Sequence, residues 1–386
     1  MLIENRKVAI VGGGMGGLTL ARLLQMQNVD VKVYERDVNR DVRVQGSTLD
    51  LHEGTGLEAM KRAGLMDEFY THHRPIASKM LIVDKNLEIK FDDHNSKQAI
   101  SENRPEIDRA PLRDILLNSL KPGTDVWDSQ FVSMEKQGNG WLLHFKNGTS
   151  AYADLVIAAD GANSKLRPYL SAEDPVYSGV TLIEGNIYNA EKNAAKLFQF
   201  AKGGKVMAFG NEQTLLYGTK GDGSIMFVAS FKVPENWATQ NGIDFKNKEQ
   251  VFTWFKEAYA SWSDEWHEFF INDDVQFILR PQYYFPLNQS WETQENFTMI
   301  GDAAHRMPPF AGEGANVAMQ DAFELAECLT GNKFPDIRTA ILHFEKQMVK
   351  RGAEATFDTL ENTERMHSET ALEQMLGFFS QVIDEQ

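Results

Sequence analysis

The sequence predicts an α/β fold: a parallel-sheet domain built from separated stretches of chain, interrupted by an antiparallel sheet and closed by C-terminal helices. Three observations carry that prediction. Residues 7–36 run through buried strand, glycine turn, helix and second strand. Two later apolar runs, 155–159 and 297–300, meet Asp160-Gly161 and Gly301-Asp302 and have the character of strands buried on both faces. Between them, from about 175 to 285, the pattern shifts to short alternating strands with glycine-rich turns.

The opening unit is the most specific. Lys7 to Val11 is a short apolar run that stops at glycines. Gly12, Gly14 and Gly17 make a G-x-G-x-x-G pattern with Met15 and Gly16 inside it, and Leu18, Ala21 and Leu24 continue at helical spacing. In such a turn the first glycine permits the sharp bend, the second lets a pyrophosphate approach the backbone, and the third lets helix and strand pack closely. The helix N-terminus offers unpaired N–H groups to the phosphates. A second strand, Val29 to Tyr34, ends in Glu35, near the roughly 20-residue offset at which an acid takes the ribose hydroxyls. Together these features predict a dinucleotide-binding βαβ unit.

After Arg36 comes a charged stretch to Arg43, then Gln45 to Leu51, with Gly46 to Thr48 read as a loop beside the ligand. Residues 58–63 read as a helix with Gly64 just past its end. Two alternating strands over 79–91 read as a hairpin at the edge of the first domain. Pro111 suits a first helical turn, and Leu112, Ile115, Leu116 and Leu120 give that helix one apolar face. Residues 126–135 and 140–146 read as antiparallel strands. Asp160, at the end of a buried strand, stands over the crevice where open α/β sheets take ligands, and Asn163, Ser164 and Arg167 follow in the turn.

In the inserted region strands are predicted over 179–187, 195–200, 205–210, 214–217 and 224–231. A helical passage over 248–270 follows, whose Phe252, Trp254, Phe255, Tyr259, Trp262, Trp266 and Phe269 read chiefly as core. Such a sheet makes a wall for a second ligand. On the return to the first domain Asp302 sits at another strand end, and Gly312, Gly314, Ala315 and Ala318 let a helix begin close to a ligand. Residues 337–357 and about 361–382 read as terminal helices, the last either docked on the core or walling a pocket. The expected division is 1–174 and 286–335 for the first domain, 175–285 for the second, and 336–386 for helices bridging the two.

Composition removes several classes of function. The 386 residues carry 55 acidic against 39 basic side chains, a formal charge of −16. That balance argues against a nucleic-acid partner and against an anionic membrane surface. A single cysteine, Cys328, excludes an intrachain disulfide and a cysteine metal cluster, and L-A-E-C-L places it in a helix core. His72-His73 lacks a partner at ligand spacing, so no metal is expected. Glu53, Asp92, Asp93, Asp273 and Asp274 read as solvated carboxylates, and His305, which follows a strand end beside Arg306, reads first as a structural hydrogen-bonding residue and second as a residue on the ligand side. With no leader and no apolar segment of about 20 residues, a cytoplasmic monomer is the expectation.

Three separated pieces then coincide: G-G-G-M-G-G at 12–17, A-D-G-A-N-S-K-L-R at 159–167 and G-D-A-A-H-R-M-P-P-F-A-G-E-G-A-N at 301–316. In this order they resemble the single-component flavoprotein aromatic hydroxylases, the para-hydroxybenzoate hydroxylase-like FAD monooxygenases, and the resemblance spans nearly the whole chain. R-V-Q-G-S-T-L-D-L-H-E-G-T-G-L-E-A-M and I-D-R-A-P-L-R-D-I-L-L-N-S-L are similar to the tetracycline-inactivating flavin monooxygenases within that group. The resemblance implies a Rossmann-like, discontinuous FAD-binding domain of glutathione reductase type with an inserted antiparallel-sheet substrate domain and a C-terminal helix. It implies that Glu35 takes the adenosine ribose, that Arg36 lies by the adenine, and that Arg109 reaches the cofactor, with Arg113 a second basic candidate. Asp302 would hold the ribityl or pyrophosphate region, and Pro309, Gly312, Gly314, Ala315 and Asn316 would lie near the isoalloxazine. Asp160 is linked in the family to FAD and to NAD(P)H handling. NADPH or NADH would act as the co-substrate, which in this family binds transiently without a Rossmann domain of its own, and the sequence agrees in having no second G-x-G-x-x-G unit. The implied cycle reduces FAD with NAD(P)H, captures O2 as a C4a-hydroperoxyflavin and hydroxylates a phenolic or polycyclic small molecule. The chemistry rides on FAD, so no side chain is assigned as catalytic acid or base.

On the substrate side, flanking residues align Glu184, Lys205, Met226 and Val228 where the tetracycline enzymes typically carry Gln, Arg, His and Gly. Met226 cannot donate the hydrogen bond an imidazole can, and Val228 adds bulk. A pocket built around buried polar contacts discriminates strongly when one is missing. A tetracycline-like compound and another multi-ring or phenolic compound therefore stand as alternative substrates, with Tyr217 and Phe310 as aromatic contacts and Met375 contributed by the last helix. Two other readings stay open: a flavoprotein oxidase or dehydrogenase on the same fold, and a non-enzymatic small-molecule binding protein. A flavin halogenase is disfavoured because a W-x-W-x-I-P segment is absent.

Overall fold

The computed structural model describes residues 1–42, 46–95, 104–272 and 275–384, with side chains through Phe379. The expectations for Arg43, Gln45, Asp273 and Asp274 lie outside the described residues. The apolar runs Lys7–Val11, Leu155–Ala158 and Phe297–Met299 are strands, joined by Asp30–Tyr34 and Asp125–Val126 in one five-stranded sheet. In space the order is 297–299, 155–158, 7–11, 30–34, 125–126, and every pairing is parallel. Parallel pairing brings the C-terminal ends of all five strands to one edge, so Gly12, Glu35, Asp160 and Gly301 emerge side by side although they are far apart in sequence. The helices Met15–Met26 and Gly314–Thr330 pack together beside that sheet, with Leu18, Leu20, Leu24, Met319, Ala322 and Leu325 buried. A separate three-stranded antiparallel sheet, Phe131–Gln137, Gly140–Phe145 and Ser150–Ala153, adds one strand to the two predicted, and the strand expected over 126–135 is divided, its start at Val126 pairing in the parallel sheet.

The second large sheet has seven strands, in the order Gln276–Tyr284, Val176–Ile187, Ile225–Lys232, Gln213–Thr219, Lys205–Gly210, Met80–Asp84, Ile89–Asp92. Four features depart from the sequence reading. The hairpin over 79–91 does not end the first domain: Met80–Asp84 runs parallel to Lys205–Gly210 and completes the inserted sheet. Leu81 and Val83 enter one core and Met80 and Ile82 another, so this strand is buried on both faces. Residues 195–200 form a helix, Ala195–Phe200, because Ala190, Ala194, Leu197 and Ala201 are buried at a helical rather than a two-residue period. The strand Gln276–Tyr284 was not predicted; it carries Pro281, which an edge strand tolerates. The passage 248–270 divides into the helix Lys248–Ala258, capped by Asn247, and a 3-10 turn Asp264–Phe269, started by Ser263.

One face of the seven-stranded sheet buries Phe227, Phe255, Tyr259, Trp266, Phe269 and Phe270, as expected of that aromatic stripe. The opposite face is partly covered by the chain's end. There a single helix spans Ile337–Met366 and the next is Ala371–Asp384, so the break falls at 367–370 and not near 360. Along the polar run before it, Thr356 and Thr363 satisfy their buried hydroxyls within the helix, on the Gly352 and Thr359 carbonyls. Among the described residues no helix is long and apolar enough to cross a membrane.

Candidate functional site

The glycine turn is shaped by contact on one side and open space on the other. Gly12 has φ +116, and a Cβ there would stand 2.1 Å from the Ala159 carbonyl oxygen. Nothing lies within 4 Å of the Cβ position of Gly14. The helix Met15–Met26 begins with no side-chain cap and no acid in its first turn, leaving its N–H groups directed at that opening. Gly16 instead meets the Ala318 carbonyl oxygen at 2.8 Å from its Cβ position, a helix crossing, and Met15 is buried. Glu35 is buried and accepts the Gly13 and Asp37 amides at 2.8 and 3.1 Å. Arg36 is exposed, and Arg109 is exposed with its guanidinium beside Gly46. Arg113 is buried and donates to the Gly13 and Arg40 carbonyls at 3.4 and 3.0 Å, tying the glycine turn to the loop after Glu35.

The two later acids meet at the same edge. Asp160 accepts the Lys165 amide at 2.8 Å, its other oxygen has no partner among the described residues, and burial raises its carboxyl. Arg167, seven residues on, donates to the Ala303 and Ala304 carbonyls and to Gln289 while stacked 3.4 Å over Phe285, which fastens the 160s turn to the 301–305 segment. Asp302 is exposed, and its Oδ1 lies 3.8 Å from the Cβ position of Gly314, where a long helix starts with neither cap nor acid. Asn316 is buried; it accepts the His52 amide at 2.9 Å and donates to the Asp50 carbonyl at 2.8 Å. Asp50 in turn stands 3.3 Å from the Cβ position of Gly312, and Pro309 is exposed beside it in sequence. An open glycine turn, two uncapped helix starts and an outward aspartate form a groove suited to an extended, phosphate-bearing dinucleotide.

Behind the groove, His305 is the structural residue it was read to be. Its Nε2 is 2.5 Å from Asp321, whose same oxygen accepts the Gly301 amide at 2.9 Å. Arg351 bridges the other Asp321 oxygen and Glu324 at 2.7 and 2.8 Å. Burial opposes charge on both partners, yet their mutual attraction lifts His305 and holds Asp321 below the usual carboxylate range.

The substrate-side expectations follow strand alternation. In Lys205–Gly210, Gln213–Thr219 and Ile225–Lys232 buried and half-exposed residues alternate. Val206, Leu215 and Phe227 enter the aromatic core, whereas Lys205, Met207, Leu216, Met226 and Val228 share the other face. Register places Glu184 opposite Val228, Leu216 opposite Val228, and Gly218 between Met226 and Lys205. Glu184, Lys205, Met226 and Val228 thus share one face of the sheet. Tyr217 does not: it is buried on the opposite face, donates to the Leu197 carbonyl at 3.0 Å and packs edge-on to Phe269. Tyr217→Phe is accordingly expected to leave substrate KM within about twofold while costing about 1 kcal/mol of stability, read as a small drop in melting temperature. Phe310 and Met375 join Met80, Ile82 and Phe209 in the apolar cluster that covers this face, and Phe310 meets His367 edge-on at 5.1 Å.

His367 anchors that cover. Its Nε2 faces the Ser230 hydroxyl at 2.8 Å and its Nδ1 the Thr363 carbonyl at 2.7 Å. Burial, aided by Lys232 and opposed by the Thr363 carbonyl and Glu364, depresses the imidazole from 6.5 to about 4. A base whose folded value is depressed takes up its proton more readily in the unfolded chain, so stability is full above pH 6.5 and falls toward pH 4. We expect urea melts to lose about 3 kcal/mol over that window through this group. His367→Gln should remove that share of the slope.

Residues 5–332 match the family model described as FAD binding domain. The chain belongs to this FAD-binding family. It is 29% identical over 370 residues to the monooxygenase penA of Penicillium thymicola, covering 84% of each. It is 24% identical to the 6-hydroxynicotinate 3-monooxygenase of Pseudomonas fluorescens, covering 93% of this chain and 92% of that one. Among solved structures it superposes on Klebsiella pneumoniae HpxO complexed with FAD and uric acid (TM-score 0.76, 19% identity, 98% and 93% of the two chains). It also superposes on the tetracycline destructase Tet(55) (TM-score 0.78, 17% identity, 100% and 96%), a likeness of fold. The protein is an FAD-dependent monooxygenase with the discontinuous FAD-binding fold, an inserted β-sheet domain and C-terminal helices.

Several residues of this monooxygenase's site escaped the sequence reading. Asp50 and Glu106 face each other on a two-stranded ribbon, Thr48–Asp50 with Glu106–Asp108, whose strands are too short for alternation to register. His52 reaches Asp50 at 2.9 Å and Glu313 at 3.4 Å; burial opposes its charge, but the two carboxylates lift the imidazole to about 9. Asp93, read as solvated, is buried and accepts the Met80 amide at 2.6 Å, because the chain leaving the edge strand Ile89–Asp92 folds back over the start of its neighbour Met80–Asp84. Asp92 is held by Lys202 at 2.7 Å, so the Asp92, Asp93 and His94 group already has a cation of its own.

Proposed function

We propose that the monooxygenase hydroxylates a phenolic or polycyclic small molecule at the expense of NADPH or NADH, with tetracycline-like compounds inside that class. The observation that carries the substrate class is the half-exposed apolar strip Met207, Leu216, Met226 and Val228, whose Met207 and Leu216 end is roofed by Phe310 and the terminal helix. A flat ring system is the shape such a strip accepts, and the roof keeps water from it. Bound FAD would supply the redox chemistry by which two electrons from the nicotinamide activate O2, one atom of which goes to the ring while the other leaves as water.

The residues present fit that cofactor. Gly12, Gly14, Met15, Gly16 and Gly17 would take the pyrophosphate on the helix start, and Glu35 and Arg36 the adenosine end. Arg109, Asp160 and Asp302 would line its middle, and Pro309, Gly312, Gly314, Ala315 and Asn316 the ring system. The uncapped start of Gly314–Thr330 favours partial negative charge on the ring nearest it. The boundary at 174/175 is retained in this proposal, with 80–92 counted in the substrate sheet.

The reading is tested by incubating the FAD-loaded protein with NADPH, labelled O2, tetracycline and a panel of phenols, and weighing the products. A product heavier by one labelled oxygen, with NADPH consumption stimulated by the same compound, is expected. Compounds returned unaltered, or oxidised without gain of oxygen, would overturn it.

A further inference from the structure

We propose that Glu106 sets the substrate class by holding Lys205, so that the pocket selects uncharged, hydrogen-bond-donating rings over carboxylate-bearing ones. The inference rests on the reading above that this face of the seven-stranded sheet receives the substrate.

Three cations stand on that face by strand alternation, and each is met by a carboxylate: Lys205 by Glu106, Arg280 by Glu184 at 2.5 Å and Lys232 by Glu364 at 2.8 Å. Lys205 is the one beside Met226 and Gly218, where a ring would lie. Its ammonium is drawn off the sheet toward the two-stranded ribbon, where Glu106 is only 3% exposed and stands in register with Asp50. Burial raises the Glu106 carboxyl against the pull of Lys205, with Asp50 raising it further. A carboxylate arriving at Lys205 would therefore displace one buried acid and face a second, and both like-charge encounters oppose its binding.

The neutral side of the argument comes from the same row of the sheet. Asn186 is paired with Met226 across the strands, is 1% exposed, and its Oδ1 has no partner among the described residues. A buried amide oxygen without a donor is satisfied by an incoming O–H or N–H and not by an anion. Phenols, carboxamides and lactams supply that donor.

The test uses the FAD-loaded protein and matched ligand pairs of one to three rings, each a hydroxyaryl carboxamide and its carboxylate, titrated by perturbation of the flavin spectrum. The carboxamide is expected to bind at least about tenfold tighter in the unaltered protein. Glu106→Gln, with its flavin spectrum retained as a check on folding, should shrink that preference about tenfold by freeing the ammonium. Adding Lys205→Met to Glu106→Gln should cancel the carboxylate's gain, because no ammonium is left to receive it. Carboxylate preference in the unaltered protein, equal weakening of both members in Glu106→Gln, or no perturbation by any pair would overturn the proposal. A yellow protein that hydroxylates a carboxylated ring sinks this inference alone, whereas a protein that transfers no oxygen to any ring sinks the functional reading beneath it.

Discussion

Gly12→Ala protein is expected to purify colourless. The added methyl would stand 2.1 Å from the Ala159 carbonyl oxygen, a backbone atom that cannot rotate aside, and the residue would hold φ at +116. Relief requires either opening the turn or displacing the strand Leu155–Ala158, and the latter carries Asp160 with it. A distortion of about 3 kcal/mol, roughly a hundredfold in FAD affinity, is the expected scale. Reconstitution with FAD, followed at the flavin absorbance band, measures it. Gly14→Ala provides the contrast. Its φ of −81 suits any residue and its Cβ position is clear of protein, so this variant should melt like the parent while still binding FAD weakly, the methyl occupying the ligand's side of the turn.

Asp321→Ala should be the most destabilising single change behind the groove. It strips His305 and Arg351 of their shared carboxylate and leaves the Gly301 amide without its acceptor. Removing one partner of a buried ionic network costs about 3–5 kcal/mol, or roughly 10 °C in melting temperature for a domain of this size. Gly301 has φ +60 and sets the direction of Asp302, so the variant should lose FAD affinity along with stability. Asp321→Asn keeps an acceptor for the Gly301 amide and should recover part of the affinity. Equal losses in both variants would show that the amide contact contributes nothing.

The parts of the molecule legible in sequence are those whose signal is local. Strand, glycine turn, helix and Glu35 lie within one short stretch, and parallel pairing then forces Asp160 and Gly301-Asp302 to the same edge. Glu184, Lys205, Met226 and Val228 came from the resemblance. That they share one face follows from the pairing of their three strands with one another and with Gln213–Thr219, which alternation within any one strand does not reveal. The same rule explains the failure at Tyr217. Leu215, Leu216 and Tyr217 are all apolar, so the sequence does not set the phase of that strand; its register with Ile225–Lys232 does. The hairpin over 80–92 and the acid pair Asp50 and Glu106 depend on partners far along the chain, which no local pattern announces. Residues 195–200 differ for another reason: four apolar residues interleaved with Lys196 and Gln199 over so short a stretch support either period, and the alanines at 190, 194 and 201 that decide it lie outside the stretch.

Because Met80–Asp84 bonds to Lys205–Gly210, the inserted sheet is stitched by a segment synthesised well before the rest of it. During translation that early hairpin must wait with a bare hydrogen-bonding flank, and the nascent chain is open to misassociation throughout the interval. A gene fragment cut at the ends of the insertion would inherit the mirror-image defect, an unsealed border along 205–210. The two halves of this fold are therefore inseparable as cloning units, and shuffling substrate modules between relatives requires moving the upstream hairpin as well.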